Sequence, residues 1–270
     1  TQSFQKFISP LISNGVIQRW NARYVKFDGD KIIERKDWGD EENEPRFVGV
    51  PSMNKMVKHL AKDLNVLLNT RIVTLRRDGK WQLLTEKNQV HDSFDLVIST
   101  APSAQTADLL PMEFQYHNEI NNIQMQPCFS LMLGFSEPLN LGFDAAHVFN
   151  SDLSWLSINS HKPGRPRPYT LLIHSSAEYA ESHLDDDRDD IIKHLCTETG
   201  RIIGCDVSFP ECKILHSWLY ANNIKRRLFP VFFDQGLQLG ACGDWCVGGR
   251  VEGAFTAAYN LVEKIKESIL

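Results

Sequence analysis

The chain has 270 residues, of which 42% are hydrophobic and 23% are charged, as in an ordinary globular protein of one large or two modest domains. Its formal net charge of −5 and isoelectric point of about 6.0 argue against nucleic-acid binding, which normally requires a basic surface. No apolar run reaches the ~18 residues typical of a membrane span, and the N-terminus lacks the pattern of a signal peptide, so we expect neither.

The first part of the sequence mixes helical and strand patterns. The predicted elements are a helix within residues 1–20, a strand at 23–27, a hairpin or loop at 31–44, a helix after 52, strands at 70–75, 81–84 and 94–100, and a helix at 103–110. Ser52 and Ser103 are expected to cap their helices. The apolar run Phe94–Thr100 is typical of a buried parallel strand.

The later part of the sequence predicts an antiparallel sheet followed by a strand, a glycine-rich turn and a long helix. Strands are expected at 129–135, 155–159, 169–174, 214–220 and 237–241, with helices at 185–197 and from about 251 onward. The fold class is therefore α/β (α+β), and we expect a discontinuous organisation. Residues 46–111 and 236–270 would form one domain, and residues 1–45 and 112–235 the other.

The segment Leu237–Ile265, LQLGACGDWCVGGRVEGAFTAAYNLVEKI, is the most informative part of the chain. An apolar strand ends at Gly243-Asp244, and the pair Gly248-Gly249 lets the backbone approach a ligand closely. A long helix then begins, and the unpaired N–H groups of its first turn can receive an anion or an electron-rich carbonyl. Asp244, just after the strand, suits the recognition of hydroxyl groups.

This segment resembles the C-terminal flavin motif of FAD-dependent amine oxidases, and most closely that of the bacterial renalase-like NAD/FAD-dependent oxidoreductases. The resemblance implies that FAD is the cofactor and that Asp244 contacts its ribityl–phosphate part. It also implies that the helix start faces the pyrimidine end of the isoalloxazine ring. The residues implied in cofactor binding here are Gly243, Asp244, Arg250, Val251, Glu252 and Ala254.

Three further segments carry the same resemblance. Residues 46–53 are similar to the entry of the helix after the first domain crossover, and residues 70–102 to the β-unit on the adenine side of FAD. That similarity implies contacts to FAD from Val73, Thr100 and Ala101. Residues 153–165 and His174 resemble the substrate-domain sheet. The implied fold is an FAD-binding Rossmann-like (glutathione-reductase-like) domain at 46–111 and 236–270, beside a substrate domain at 1–45 and 112–235.

One expected motif is missing from the sequence. Enzymes of this kind begin with a strand followed by G-x-G-x-x-G, whose glycines bring the backbone to the pyrophosphate. No such spacing occurs in this chain, so the FAD-binding domain is expected to be incomplete at its N-terminus, with roughly 60 residues absent. Two outcomes therefore stay open, a truncated chain that holds FAD and one that has lost it.

The candidate substrate-binding residues lie in or after the strands of the second domain. They are Trp155, Asn159, Lys162, Arg165, His174 and Trp218. Each has an ordinary alternative, because aromatic and histidine side chains in strands usually belong to the core, and loop polarity usually faces solvent. Likewise Asp244 and Glu252 could simply cap or complement a helix start. No catalytic acid or base and no metal site is predicted, and the six scattered cysteines are typical of reduced thiols in a cytoplasmic protein.

The leading hypothesis is an FAD-dependent oxidoreductase that moves a hydride from an amine or a dihydronicotinamide-type substrate to flavin N5, with oxygen as electron acceptor. The renalase resemblance favours the dihydronicotinamide. The alternative is a non-catalytic fragment or binding module that has lost the dinucleotide-binding unit. A nicotinamide-dependent reductase without flavin is a third, weaker hypothesis. The expected partner is a small molecule, and uncovered sheet edges predict self-association.

Overall fold

The computed structural model describes residues 1–40, 45–223 and 231–269, which form seven α-helices and fifteen β-strands. In chain order these are α1 (Gln2–Ser13), β1 (Ile17–Arg19), β2 (Arg23–Asp28), β3 (Lys31–Asp37), β4 (Phe47–Gly49), α2 (Lys55–Leu60), β5 (Ile72–Asp78), β6 (Lys80–Thr85), β7 (Val90–Phe94), β8 (Val97–Ser99), α3 (Ser103–Leu109), α4 (His117–Asn121), β9 (Met125–Phe135), β10 (Ala145–Phe149), β11 (Leu153–Ile158), β12 (Tyr169–Ser175), α5 (Ala177–Ser182), α6 (Arg188–Ile203), β13 (Cys212–Asn223), β14 (Phe232–Asp234), β15 (Leu239–Ala241) and α7 (Val251–Ile269). Short 3-10 turns occupy Asn159–His161 and Asp244–Cys246.

The chain divides into two compact units. The first unit comprises residues 1–64 and 127–219, and the second comprises residues 65–126 and 220–270. These limits differ from the domain boundaries expected from the sequence, since residues 46–64 lie with the first unit and residues 112–126 and 220–235 with the second. Residues 46–64 join the first unit because β4 pairs with β1. The functional assignment of the two units stays a prediction.

The first unit is built on a seven-stranded mixed sheet in the order β13-β9-β12-β11-β10-β2-β3. The pairing of β10 with β2 is parallel, whereas the β9–β12, β12–β11, β11–β10 and β2–β3 pairs are antiparallel. One face of this sheet packs on α5 and α6 to form the main hydrophobic core. Helix α6 begins at Arg188, inside the acidic run 185–190, and the side chain of its cap residue Asp187 accepts hydrogen bonds from the Asp189 and Asp190 amides.

The second unit contains two three-stranded sheets. One is antiparallel, in the order β5-β6-β7; in the other, β15 pairs in parallel with β8 and antiparallel with β14. Its core gathers the aromatic residues Trp81, Phe114, Phe232 and Trp245 around Leu261 of α7. The α7 side chains that reach this core are Ala257, Leu261 and Ile265, which recur at helical spacing.

The structure differs from several sequence-based expectations in the limits and caps of single elements. The strand expected at 94–100 is parallel, as its pairing with β15 confirms, but it covers only Val97–Ser99 because β7 already ends at Phe94. It is also less buried than expected, since Ile98 is 38% exposed. Ser103 is the first residue of α3 rather than its cap, and its hydroxyl donates to the Ile123 carbonyl. Ser52 lies three residues before α2 and donates from its hydroxyl to Asn54 Oδ1, whereas Asn54 holds the cap position without a side-chain hydrogen bond to the helix amides. Residues 41–44 of the expected hairpin or loop lie outside the described residues.

No helix within residues 1–40, 45–223 and 231–269 is both long enough and apolar enough to cross a bilayer.

Candidate functional site

A cleft of about 660 Å³ opens in the second unit where strand β8 ends. It is lined by the β5 segment around Val73, by Thr100 and Ala101 after β8, and by polar side chains of α3. Val73 is 46% exposed, as expected for a residue at the rim of a cleft. The structure therefore brings together the three residues for which the family resemblance implies contacts on the adenine side of FAD.

The Gly243-Asp244-Trp245 turn lies in the same unit and is held by Trp245. The Trp245 indole is 1% exposed and donates from Nε1 to the Ala101 carbonyl at 3.0 Å. Trp245 thereby joins this turn directly to the end of β8. A Cβ atom at Gly243 would lie 2.3 Å from Trp245 Nε1, so only glycine allows the backbone this close to the indole.

Asp244 combines a backbone anchor with an unpaired side chain. Its carbonyl accepts hydrogen bonds from the Val247 and Gly249 amides, which close the loop through the glycine pair. Gly248 and Gly249 have φ angles of 82° and 72°, a conformation that favours glycine. The Asp244 carboxylate is half-buried and makes no hydrogen bond or ion pair within the part of the chain that the structure describes. It can therefore accept hydrogen bonds from a ligand.

Helix α7 begins directly after this loop, at Val251, as the sequence predicted. The Ala254 amide closes the first turn on the Arg250 carbonyl. The amides of Val251, Glu252 and Gly253 come before the first i→i−4 hydrogen bond and carry the positive end of the helix macrodipole. Arg250 and Val251 are exposed at this end, and Glu252 and Ala254 are half-buried.

These features fit the cofactor implied by the sequence. A half-buried carboxylate that has no partner within residues 1–40, 45–223 and 231–269 suits the hydroxyl groups of FAD, and the first turn of a 19-residue helix suits an electron-rich ring carbonyl or a phosphate. Asp244, Arg250, Val251, Glu252 and Ala254 would hold the flavin side. Val73, Thr100 and Ala101 would hold the adenine side.

The first unit presents a second group of candidate residues on the sheet face opposite α6. Trp155 and His174 are direct neighbours across β11 and β12. They alternate with the core residues Leu156 and Ile173 and therefore point to the other side of the sheet. On β13 the core residue is Leu215, so its sequence neighbours share the face of Trp155. We call this side the open face; its members are Ser130, Met132, Trp155, Ser157, Leu172, His174, Ile214, His216 and Trp218.

An aromatic cluster fixes Trp155 at one end of the open face. The Trp155 ring stacks on Trp38 with centroids 6.3 Å apart, and Trp38 stacks in turn on Tyr24 at 5.0 Å. His147 packs edge-on to Trp155 at 4.7 Å and hydrogen-bonds through Nδ1 to the Tyr24 hydroxyl at 2.7 Å. Trp20 completes the cluster against Trp38. At the other end of the face, Trp218 is 54% exposed and touches His216.

Burial lowers the pKa of two ionisable groups beside the open face, Lys162 and His174. The Lys162 ammonium lies over the Trp20 ring, 5.3 Å from its centroid. Burial, assisted by the charge of Arg165, lowers the pKa of Lys162 to about 8. Burial, together with the charge of Lys162, lowers the pKa of His174 to about 4. At neutral pH His174 is therefore uncharged, whereas Lys162 remains mostly cationic.

Asn159 and Arg165, the other two candidates, lie in the loop after β11. Asn159 opens a 3-10 turn, and its carbonyl accepts from the Lys162 amide. Arg165 Nη1 donates to the carbonyls of Gly49, Pro51 and Pro163, so it braces this loop against the segment after β4. Its Nη2 atom is buried without a partner among the described residues.

Some residues of these sites escaped the sequence analysis. The position of Trp245, between the Gly243-Asp244 pair and the glycine pair, could have indicated a role in the turn. No local pattern indicates the members of the aromatic cluster, because they reach Trp155 through strand pairings distant in sequence; these members are Trp20, Tyr24, Trp38 and His147. No local pattern indicates Asn223 either, whose Nδ2 donates to the Trp245 carbonyl at 2.6 Å.

Solved structures share this fold at low sequence identity. A putative protoporphyrinogen oxidase from Exiguobacterium sp. 255-15 matches with a TM-score of 0.62 and 14% identity, over 82% of this chain and 52% of its own. A triple mutant of putrescine oxidase, made to redesign cofactor binding, matches with a TM-score of 0.60 and 11% identity, over 83% of this chain and 54% of its own. This chain thus spans about half the length of the structures it matches.

A family comparison covers most of the sequence. Residues 27–227 match the model of the flavin containing amine oxidoreductases. This range includes the open face, the cleft beside β8 and the cluster residues Trp38, His147 and Trp155. The chain therefore belongs to the flavin-containing amine oxidoreductase family, within the FAD-dependent amine oxidase superfamily.

Proposed function

We propose that the chain is part of an FAD-dependent oxidase, with the second unit binding FAD and the open face of the first unit binding the substrate. The observation that carries the proposal is the hydrogen bond from Trp245 to Ala101, which holds the two expected cofactor segments together. When bound, FAD supplies the ring that accepts a hydride at N5 and passes the electrons to oxygen, giving hydrogen peroxide.

The chain's own groups act by binding and orientation. Asp244 accepts hydrogen bonds from hydroxyl groups of the cofactor, and the α7 amides stabilise negative charge on its ring through the helix dipole. The cleft around Val73, Thr100 and Ala101 receives the adenine end. Hydride transfer to flavin N5 needs no protein acid or base, so we assign no such role to the residues of the open face.

We expect Asp244→Ala to raise the dissociation constant for FAD by about ten- to a hundredfold. A hydrogen bond to a charged acceptor contributes about 1.5–3 kcal/mol, and this variant removes the acceptor. The measurement is the absorbance of flavin that stays with the protein after FAD is added and unbound cofactor is removed by desalting, followed by a fluorescence titration.

Asp92→Ala is the matched control, because Asp92 is an exposed carboxylate of the same unit with no hydrogen bond within the described residues. It should leave FAD binding unchanged. A wild-type protein that stays colourless after incubation with FAD would contradict the proposed function itself. Equal affinity of wild type and Asp244→Ala would contradict only the role of Asp244.

The charges around the open face bear on the substrate class. The face carries aromatic, imidazole, hydroxyl and aliphatic groups but no carboxylate among the members named above, and the cations Lys162 and Arg165 lie beside it. Glu34, on the same side of the sheet in β3, is paired with Lys26 and Lys36. A protonated amine would find no counter-ion there, whereas a planar substrate with an anionic group would find the Lys162 ammonium. We therefore propose a dihydronicotinamide-type substrate in preference to a cationic amine.

Lys162→Met should weaken binding of reduced nicotinamide mononucleotide by about tenfold, because it removes the charge that would face the phosphate. The uncharged reduced nicotinamide riboside should bind equally well to both proteins. In the wild type, binding of the mononucleotide should weaken as the pH rises through about 8, since Lys162 then loses its proton. Quenching of tryptophan fluorescence measures both constants.

Lys193→Met, at an exposed position of α6, is the control for a simple change of net charge. Equal losses for the charged and the uncharged ligand in Lys162→Met would argue against a charge role for Lys162. Tighter binding of putrescine than of either nicotinamide would overturn the proposed substrate class.

A further inference from the structure

Asn223, the last residue of β13, has one hydrogen-bonded and one unpaired side-chain atom beside the Gly243-Asp244-Trp245 turn, which we call the cofactor turn. Its Nδ2 atom donates to the Trp245 carbonyl at 2.6 Å. Its Oδ1 atom is buried and has no hydrogen-bond partner within the described residues. A buried acceptor without a donor costs about 1–3 kcal/mol, so such atoms are rare unless a ligand or an ordered water completes them.

The orientation of this amide follows from chemistry. A carbonyl oxygen can only accept, so the atom of Asn223 that faces Trp245 must be the donor nitrogen. The oxygen is then forced to the other side of the amide plane. A rotation by 180° would satisfy neither atom, because it would place two acceptors against each other.

The Asn223 amide is held next to the proposed cofactor site through its hydrogen bond to Trp245. The carbonyl that Asn223 holds belongs to the turn whose previous residue is Asp244. Trp245 also binds the end of β8 through its indole, so the Asn223 amide is held against the buried core of the second unit. A buried acceptor held beside the turn proposed to bind the cofactor is pre-organised for a donor on that ligand.

We propose that Asn223 is a further cofactor-binding residue, whose Oδ1 accepts a hydrogen bond from a donor of FAD while its Nδ2 holds the Trp245 carbonyl. This inference rests on the proposed function. Flavin offers two classes of donor, the imide N3–H of the ring and the hydroxyl groups of the ribityl chain. Both satisfy the same acceptor, and cofactor analogues can tell them apart.

The test is a set of binding titrations with FAD, N3-methyl-FAD and FAD analogues that lack single ribityl hydroxyls. We expect Asn223→Ala to weaken FAD binding by about tenfold, the loss typical of one buried hydrogen bond. One analogue should bind the wild-type protein about tenfold more weakly than FAD does. The same analogue and FAD should bind Asn223→Ala with nearly equal affinity, because that variant already lacks the interaction. Asn223→Asp, which keeps an acceptor oxygen, should still discriminate against that analogue.

Asn222→Ala is the matched control, since Asn222 is the exposed neighbour of the same type, and it should bind all cofactors like the wild type. If every analogue loses the same factor on wild type and on Asn223→Ala, Asn223 Oδ1 does not contact the flavin and the inference is overturned. If no analogue binds the wild-type protein more weakly than FAD does, that result alone also overturns the inference. Failure of the wild type to bind FAD at all would instead remove the proposed function.

Discussion

Trp245→Ala should lower the free energy of unfolding by about 3–5 kcal/mol and abolish FAD retention. Truncation of a large buried aromatic side chain leaves a cavity in addition to the lost burial. Trp245 is 1% exposed, stacks on Phe232 at 5.7 Å, and donates the hydrogen bond that ties the cofactor turn to Ala101. Urea denaturation followed by circular dichroism gives the stability, and flavin absorbance after desalting gives the binding.

Trp245→Phe separates the two roles of this side chain. Phenylalanine keeps most of the packing but removes the indole N–H, so we expect a smaller stability loss of about 1–2 kcal/mol with a clear weakening of FAD binding. Ala101 would still accept from the Thr106 hydroxyl at 2.9 Å, which limits the cost to the β8 end. A Trp245→Ala protein that matches the wild type in stability would show that the turn is not anchored as described.

Acid should destabilise the first unit through Asp144. Burial by itself would raise the pKa of this carboxyl, but hydrogen bonds from Arg23 and His161 outweigh it and lower the pKa from 3.8 to about 2. A group with a lowered pKa stabilises the fold above its unfolded pKa, and this contribution is lost as the pH falls toward the folded value. We therefore expect a loss of up to about 2 kcal/mol between about pH 5 and pH 2, measured by urea denaturation across that range.

Asp144→Asn should lower stability at neutral pH and remove this part of the acid dependence. Asp152→Asn is the matched control, because Asp152 also pairs with a histidine, His194 at 2.8 Å, but its side chain is 47% exposed, compared with 12% for Asp144. Exposed ion pairs contribute little, so the control should change stability by less than about 1 kcal/mol. Parallel acid curves for wild type and Asp144→Asn would contradict the role of the Arg23–Asp144–His161 network.

The sequence allowed prediction of those features that local patterns encode. The parallel strand at 97–99 was visible as an apolar run, and α7 from the change to helical spacing after Gly249. The caps at Ser52 and Ser103 were wrong, because each hydroxyl has another partner: Asn54 Oδ1 for Ser52, and the Ile123 carbonyl for Ser103. A preference for a cap is weak and yields to such contacts.

The remaining site residues depend on contacts between distant segments. Trp38, just after β3, contacts Trp155 of β11 because β2 and β10 lie between these two strands in one sheet. No local sequence pattern predicts this strand order. The lowered pKa values of Lys162 and His174 likewise follow from burial, which the sequence does not give. The resemblance to known flavoproteins predicted roles for Asp244 and the start of α7, which stay predictions, and it gave no indication of Asn223.

The parallel pairing of β2 with β10 has a consequence for how the chain folds. Arg23 and Asp144, at the start of these strands, are 121 positions apart, and residues 65–126 of the second unit lie between them in the sequence. Contacts with such a long sequence separation close late and slow folding, because the loop entropy must be overcome first. On the ribosome the β2–β3 hairpin must wait for β10 to be synthesised, and until then its apolar side has to be protected from aggregation.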